Sequence, residues 1–262
     1  MKFGIVVPTY FRGDGRTREI LSKTLESVAS QDFTDYKLFL IGDDYSDAKE
    51  FREYEQLLPK EKMQSINLPV AVERRRYPQG GAKLWCSGGV NATNFGIDLA
   101  LSHGYTHICH LDHDDLWTPD HLSALAEVFE QDSQAVVAFT ASRYLKVYIL
   151  PRVGELNGEV TGEITPAMPP PENVAHSSVC IDFSKVHLRY RDVHHEGGEP
   201  TAADLDFWIR LEAYCKERRY PGYHVAKLTC IHDDEGYART TEVVVPNKGL
   251  FARIFGYFFR RS

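Results

Sequence analysis

Several features that would point to a function class are missing from this chain. No apolar run approaches the ~20 residues that a helix needs to cross a bilayer. The run that opens "MKFGIVVPTYFRGDGR" is too short for the core of a signal peptide, and no cleavage-like site follows it. There is no CxxC pair. The five cysteines, Cys86, Cys109, Cys180, Cys215 and Cys230, are scattered and odd in number, which argues against a disulfide framework and for buried thiols in a reducing compartment. Positive charge is not in surplus: 30 Lys and Arg face 37 Asp and Glu, and the net charge of −7 argues against a general nucleic-acid surface. No internal repeat or clear linker is visible. The glycines of "YPQGGAKLWCSGG" lack phosphate-loop spacing and read as a mobile loop able to close over a ligand. The expectation is a cytoplasmic globular protein, a single domain of 262 residues.

What is present is alternation. "KFGIVV" reads as a buried strand. "TREILSKTLESVASQ" places Ile20, Leu21, Leu25, Val28 and Ala29 at helical spacing. "YKLFLIG", "THICHLD" and "AVVAFTASRYL" read as further strands. "DAKEFREYEQLL", the stretch from Val90 to Ser102 and "TPDHLSALAEVFEQD" read as helices, the second stopped at Gly104 and the third capped by Thr118. Such alternation predicts an α/β fold with a largely parallel sheet covered on both faces, whose ligands bind at the carboxyl ends of the strands. The later half is less regular. "PRVGELNGEVTG" reads as a hairpin, "HSSVCIDF" and "YHVAKLTCIH" as strands, and "TAADLDFWIRLEAYCKE" as a helix.

Three polar segments then fall at strand ends: "PTYFRGDGR", "GDDYSD" and "LDHDDLW". The last sets Asp112, His113, Asp114 and Asp115 side by side, and clustered carboxylates cannot be buried unpaired. They form either a solvated turn or a site where two acids share a hard cation, Mg²⁺ or Mn²⁺. Asp43, Asp44 and Asp47 are either turn and cap residues or acceptors for a nucleobase edge. Thr9 adds a hydroxyl, and Tyr10 or Phe11 a stacking face.

In order, "VVPTYFR", "FLIGDDYSD", "LDHDDLWTPDHL" and "ADLDFWIRL" resemble the family 2 glycosyltransferases of GT-A fold, over roughly residues 2–235. The resemblance implies an inverting enzyme that moves a sugar from a nucleotide-sugar, a UDP-sugar being favoured, to a hydroxyl of a glycan, lipid-linked or protein-linked acceptor. It implies that Thr9, Tyr10 and Arg12 line the nucleotide pocket, that Asp44 reads the base, and that Asp112 holds the ribose or a metal-bound water. Asp114 would be the main Mn²⁺ or Mg²⁺ ligand of the DxD motif and Asp204 the catalytic carboxylate. His176 and Ser177 would meet the acceptor, and, apart from the resemblance, the Trp117 ring could stack on a sugar there.

The chain departs from the family pattern in three places. Thr93, in "GVNATNFG", stands where an arginine that contacts the donor is common, with Arg74, Arg75, Arg76 and Lys83 as candidate substitutes. Ala203 precedes Asp204 where a Glu is usual. "CIHDDEGYART" matches the late histidine segment loosely, with His232 as a further metal ligand. "VHHEGGE" offers His194, His195 and Glu196 as a metal site or a polar loop.

The implied division is a nucleotide-sugar half (1–118), an acceptor and catalytic half (119–247), and an amphipathic helix (248–262). Leu250, Phe251, Ile254, Phe255 and Phe258 of that helix share one face with basic residues at its edges, suited to core packing or to a reversible membrane contact. Two readings compete with glycosyl transfer: a metal-dependent phosphoesterase built on the His-Asp cluster, and a binding module without turnover in which Asp204 is dispensable.

Overall fold

The structure, a computed structural model, describes residues 1–79, 81–144, 148–153, 156–158, 160–171, 173–195 and 201–232. Its first half runs β1 (Phe3–Thr9), α1 (Thr17–Ala29), β2 (Tyr36–Asp43), α2 (Ala48–Glu53), β3 (Met63–Leu68), α3 (Val72–Arg76), α4 (Ala82–Ser87), α5 (Val90–Ser102) and β4 (His107–His110). There follow β5 (Asp115–Trp117), α6 (His121–Gln131), β6 (Val137–Tyr144), β7 (Tyr148–Leu150), β8 (Arg152–Val153), β9 (Leu156–Asn157), β10 (Ile164–Pro166), β11 (Val179–Asp182), α7 (Ala203–Arg218) and β12 (Gly222–His232).

One sheet takes strands from both halves, in the order β10-β12-β6-β11-β4-β1-β2-β3. Its long pairings are parallel: β1 with β2 and β4, β2 with β3, and β6 with β12. β11 joins the halves, antiparallel to both β4 and β6. The strands are buried on both faces, as their near-continuous apolar runs require. Phe3, Ile5 and Val7 of β1 pack with Leu21, Leu25 and Val28 of α1 and Leu122 and Leu125 of α6. Val6, between them, packs on the other face with Ile97 of α5 and Phe207 and Leu211 of α7. α5 lies close on β1 because Gly96 has no side chain; a Cβ there would come within 2.5 Å of Val6 Cγ1. Gly104, at φ +77°, ends the helix where the glycine stop was expected.

Two local expectations change. Thr118 does not cap α6. Its backbone N–H donates to Thr229 O at 2.9 Å, continuing the β5–β12 ladder, so the helix begins at His121 with Asp120 at the capping position. The "YPQGGAKLWCSGG" segment is not a bare loop but carries α4.

The strand order 3-2-1-4 reverses direction between β1 and β4. A crevice therefore opens at their carboxyl ends, where ligands of doubly wound sheets bind. Among the described residues no helix is long and apolar enough to cross a membrane.

Candidate functional site

The turn after β4 explains how four adjacent polar groups coexist: each has its own partner from a different element. The Asp112 carboxylate sits 3.1 Å from His176 Nδ1, and its backbone N–H donates to Ser177 Oγ at 2.9 Å. His113 Nδ1 lies 3.1 Å from Thr9 Oγ1 at the end of β1. Asp114 lies 4.0 Å from the Arg12 guanidinium, which is itself held by Asp14 at 2.8 Å. Asp115, buried in β5, accepts from His232 Nδ1 at 2.7 Å across the β5–β12 ladder.

The pKa directions follow from these pairings. Burial alone would raise Asp112, but the charge and hydrogen bond of His176 outweigh it and hold the carboxyl at about 2. Burial prevails at Asp115 and lifts it to about 6 despite His232. Burial would lower His232, yet the hydrogen bond and charge of Asp115 take it up to about 9. His232 Nδ1 is thus the partner of Asp115, which places the ring on the strand beside the acid turn that holds Asp114.

The nucleotide side gathers around Tyr10, which is 39% exposed. Its ring packs against His113, with centroids 5.1 Å apart, and the Arg74 guanidinium lies 4.7 Å over it. Arg74 also pairs with Asp43 Oδ2 at 3.3 Å and donates to the Asp43 carbonyl. The other Asp43 oxygen, Oδ1, is buried with no hydrogen-bond partner among the described residues. Asp44, the acid expected to read the base, has an exposed carboxylate on a left-handed backbone (φ +53°), 3.3 Å from the exposed Arg75. Asp43 is thus packed against Arg74, and Asp44 keeps its carboxylate at the surface. Thr93 is buried within α5, while the Arg74 guanidinium lies at the Tyr10 ring. Arg76 is committed elsewhere, to Asp192.

Beneath Arg74, on the first turn of α3, Glu73 is buried with one oxygen accepting from Asn91 N at 3.1 Å and the other unpartnered among the described residues. Burial, with Asp43 nearby, lifts its pKa to about 7. A folded value above the unfolded ~4.3 means stability is lost as pH rises from about 4.5 to 7, by roughly 3.5 kcal/mol at most. Glu73→Gln should therefore raise the melting temperature at pH 8 more than at pH 5. A shift equal at both pH values would show that Glu73 does not ionise in the fold.

Asp204 opens α7. Its Oδ1 accepts from Leu205 N at 2.8 Å, and burial raises its pKa, partly offset by the charge of His176. Asp206 is turned away and bound by Arg191 and Arg210. The three residues expected to meet an acceptor do not form a surface. Trp117 is buried, stacks on His121 with centroids 4.2 Å apart, and donates its indole N–H to Ser177 O at 2.7 Å. Ser177 is fully buried, and His176 lies under Asp112. Sequence reasoning missed Tyr190, which joins this group through His176. Glu196 and the proposed helix at residues 248–262 lie outside the described residues.

Among the described residues no group of three or more His, Cys, Asp and Glu side chains forms a ready metal cage. The donor set still fits Mg²⁺ or Mn²⁺, which are commonly held by one or two carboxylates with substrate phosphates completing the shell. Asp114 and Asp112 provide those oxygens on one turn, with Asp112's side chain 42% exposed.

Comparisons with known proteins bear on the family and the fold. Residues 4–159 match the family described as Glycosyl transferase family 2. An uncharacterised glycosyltransferase, R139 of Acanthamoeba polyphaga mimivirus, is 32% identical over 241 residues, covering 90% of this chain and 95% of the viral one. Among solved structures, TarS of S. aureus (residues 1–349) in complex with UDP-GlcNAc superposes with a TM-score of 0.62 at 14% identity, over 88% of this chain and 58% of that one. The mannosyltransferase PcManGT of Pyrobaculum calidifontis, in complex with GDP-Man and Mn²⁺, gives 0.52 at 15% identity, over 88% of this chain and 56% of that one. The chain thus spans somewhat under three fifths of the length of either. At these identities the likeness shows the fold, the GT-A architecture.

Proposed function

From the premise that the chain belongs to glycosyltransferase family 2, we propose that it transfers a sugar with inversion from a nucleoside-diphosphate sugar, a UDP-sugar first, to an acceptor hydroxyl. The carrying observation is the part-exposed Tyr10 ring at the end of β1, with the Arg74 guanidinium against it and the exposed Asp44 carboxylate beside Arg75. A nucleobase lying against Tyr10 would offer its ring N–H to that exposed carboxylate. Uracil suits the site because its ring N–H is flanked by carbonyls, matching an acceptor next to a guanidinium donor. Binding of GDP-Man by PcManGT and of UDP-GlcNAc by TarS supports the nucleotide-sugar class.

In this reading Asp114 and Asp112 hold Mn²⁺ or Mg²⁺, which when bound offsets the negative charge that builds on the leaving diphosphate. Arg12, 4.0 Å from Asp114, adds fixed positive charge on the same side. Asp204 takes the proton of the attacking hydroxyl from the opposite face of the sugar, and opposite faces give inversion. A phosphoesterase would need a cage of histidine ligands. Among the described residues, the histidines nearest the acids are committed to Asp112, Asp115 and Thr9.

A panel of nucleotide-sugars scored by nucleotide release tests the proposal. UDP should raise the melting temperature in the presence of Mn²⁺, and Asp44→Ala should weaken UDP binding about tenfold, the scale of one charged hydrogen bond. A chain that no nucleoside diphosphate stabilises and that releases nucleotide from no donor overturns it.

A further inference from the structure

His176 lies between the two acids to which the proposed function gives roles. Its Nδ1 is 3.1 Å from Asp112 Oδ1, and its Nε2 is 2.9 Å from the Tyr190 hydroxyl. A carboxylate only accepts, so Nδ1 carries the hydrogen, an assignment made from the network. The Tyr190 hydroxyl is also 3.4 Å from His110 Nε2, and the His110 ring stacks on His176 with centroids 4.6 Å apart and an interplanar angle of 22°. The phenol cannot swing away. Asn94 clamps its backbone from both sides, accepting from Tyr190 N and donating to Tyr190 O, each at 2.9 Å. The Tyr190 ring lies flat on Phe207, with centroids 4.2 Å apart and 12° between planes, and His176 packs 6.0 Å from Trp208. Phe207 and Trp208 belong to α7, the helix that Asp204 opens. The next residue, Ser177, accepts the backbone N–H of Asp112.

We infer that His176, oriented by Tyr190, is a positioning residue that fixes the Asp112 carboxylate on the donor side and ties it to the helix of the catalytic acid. It is not an acceptor contact. The inference rests on the donor reading above and adds to it residues that touch no substrate. Its signature is that Tyr190, 5% exposed, governs nucleotide affinity only through Asp112.

The test is calorimetric titration of the full chain with UDP and GDP in the presence of Mn²⁺. His176→Leu should weaken binding tenfold or more. Tyr190→Phe keeps the stack on Phe207 and removes only the hydroxyl, so it guards against a misfolded His176 variant; it should weaken binding about threefold to tenfold with the far-ultraviolet spectrum unchanged. Combined with Asp112→Asn, Tyr190→Phe should add no further loss, because both act through one carboxylate. Wild-type affinity in Tyr190→Phe, or losses that simply add in the double variant, overturns the inference while leaving the donor reading intact. A wild-type chain that binds neither nucleotide overturns both.

Discussion

Replacing Asp204 by Asn should leave UDP affinity within about twofold of wild type and lower glycosyl transfer by roughly 10²-fold or more, the usual scale for a positioned general base. The carboxylate is held by the first turn of α7, with Oδ1 fixed on Leu205 N, so Asn keeps the shape and one acceptor while losing basicity. Burial places its pKa above the ordinary carboxylate range, and the charge of His176 restrains the rise. A base must be deprotonated to work. The rate should therefore climb with pH through that raised value, and this acid limb should vanish in the Asn variant. Asp206→Asn is the control. Asp206 is bound by Arg191 and Arg210 away from the crevice, so its loss should lower melting temperature and leave turnover standing. If Asp204→Asn turns over at near wild-type rate, another group is the base. Glu199, outside the described residues, is the first to try.

Much of this arrangement was legible in the sequence because it depends on periodicity and order. Strand-helix alternation in the first half, the stop at Gly104 and the ordered polar segments are local signals, and the sheet places them at one edge as they predict. Asp206, two residues on from Asp204, points elsewhere as helical geometry requires.

What could not be read is what tertiary pairing decides. Nothing local distinguishes the surroundings of Asp43 from those of Asp44; only the fold shows Asp43 packed against Arg74 and Asp44 exposed beside Arg75. Trp117 reads as a sugar-stacking ring only until β5 is seen to pair with β12, which buries it over His121. The partners His176 and His232 lie 64 and 117 residues from their acids, a separation that no spacing rule bridges. Tyr190 carried no motif at all. Its signal is contact with His176, Phe207 and Asn94, visible only after folding.

Asp114→Asn should abolish most of the gain in nucleotide affinity that Mn²⁺ gives the wild-type chain. Titrated with UDP, the wild type should bind roughly 10²-fold more tightly with Mn²⁺ than with EDTA, since a divalent cation held by Asp114 would offset the charge of the diphosphate. The three acids of the turn are not equivalent. Asp115 is buried and spent on His232, and Asp112 is drawn toward His176. Asp114 pairs with Arg12 at the longer distance of 4.0 Å, and Arg12 is shared with Asp14 at 2.8 Å. A long, shared ion pair at a partly exposed site is weak, so Asp114 is the carboxylate that a cation engages at the least cost. Asn keeps a carbonyl oxygen but gives up the charge, which is the larger part of the attraction for a hard cation. Binding in EDTA should therefore be similar in the variant and the wild type, with the two curves separating as Mn²⁺ is added. Mn²⁺ electron paramagnetic resonance of the UDP complex provides a second readout, in which the variant should leave more of the metal as the free aquo ion. Wild-type affinities for UDP and GDP that EDTA leaves unchanged would show that the turn binds nucleotide through Arg12 and the backbone, with no cation at Asp114.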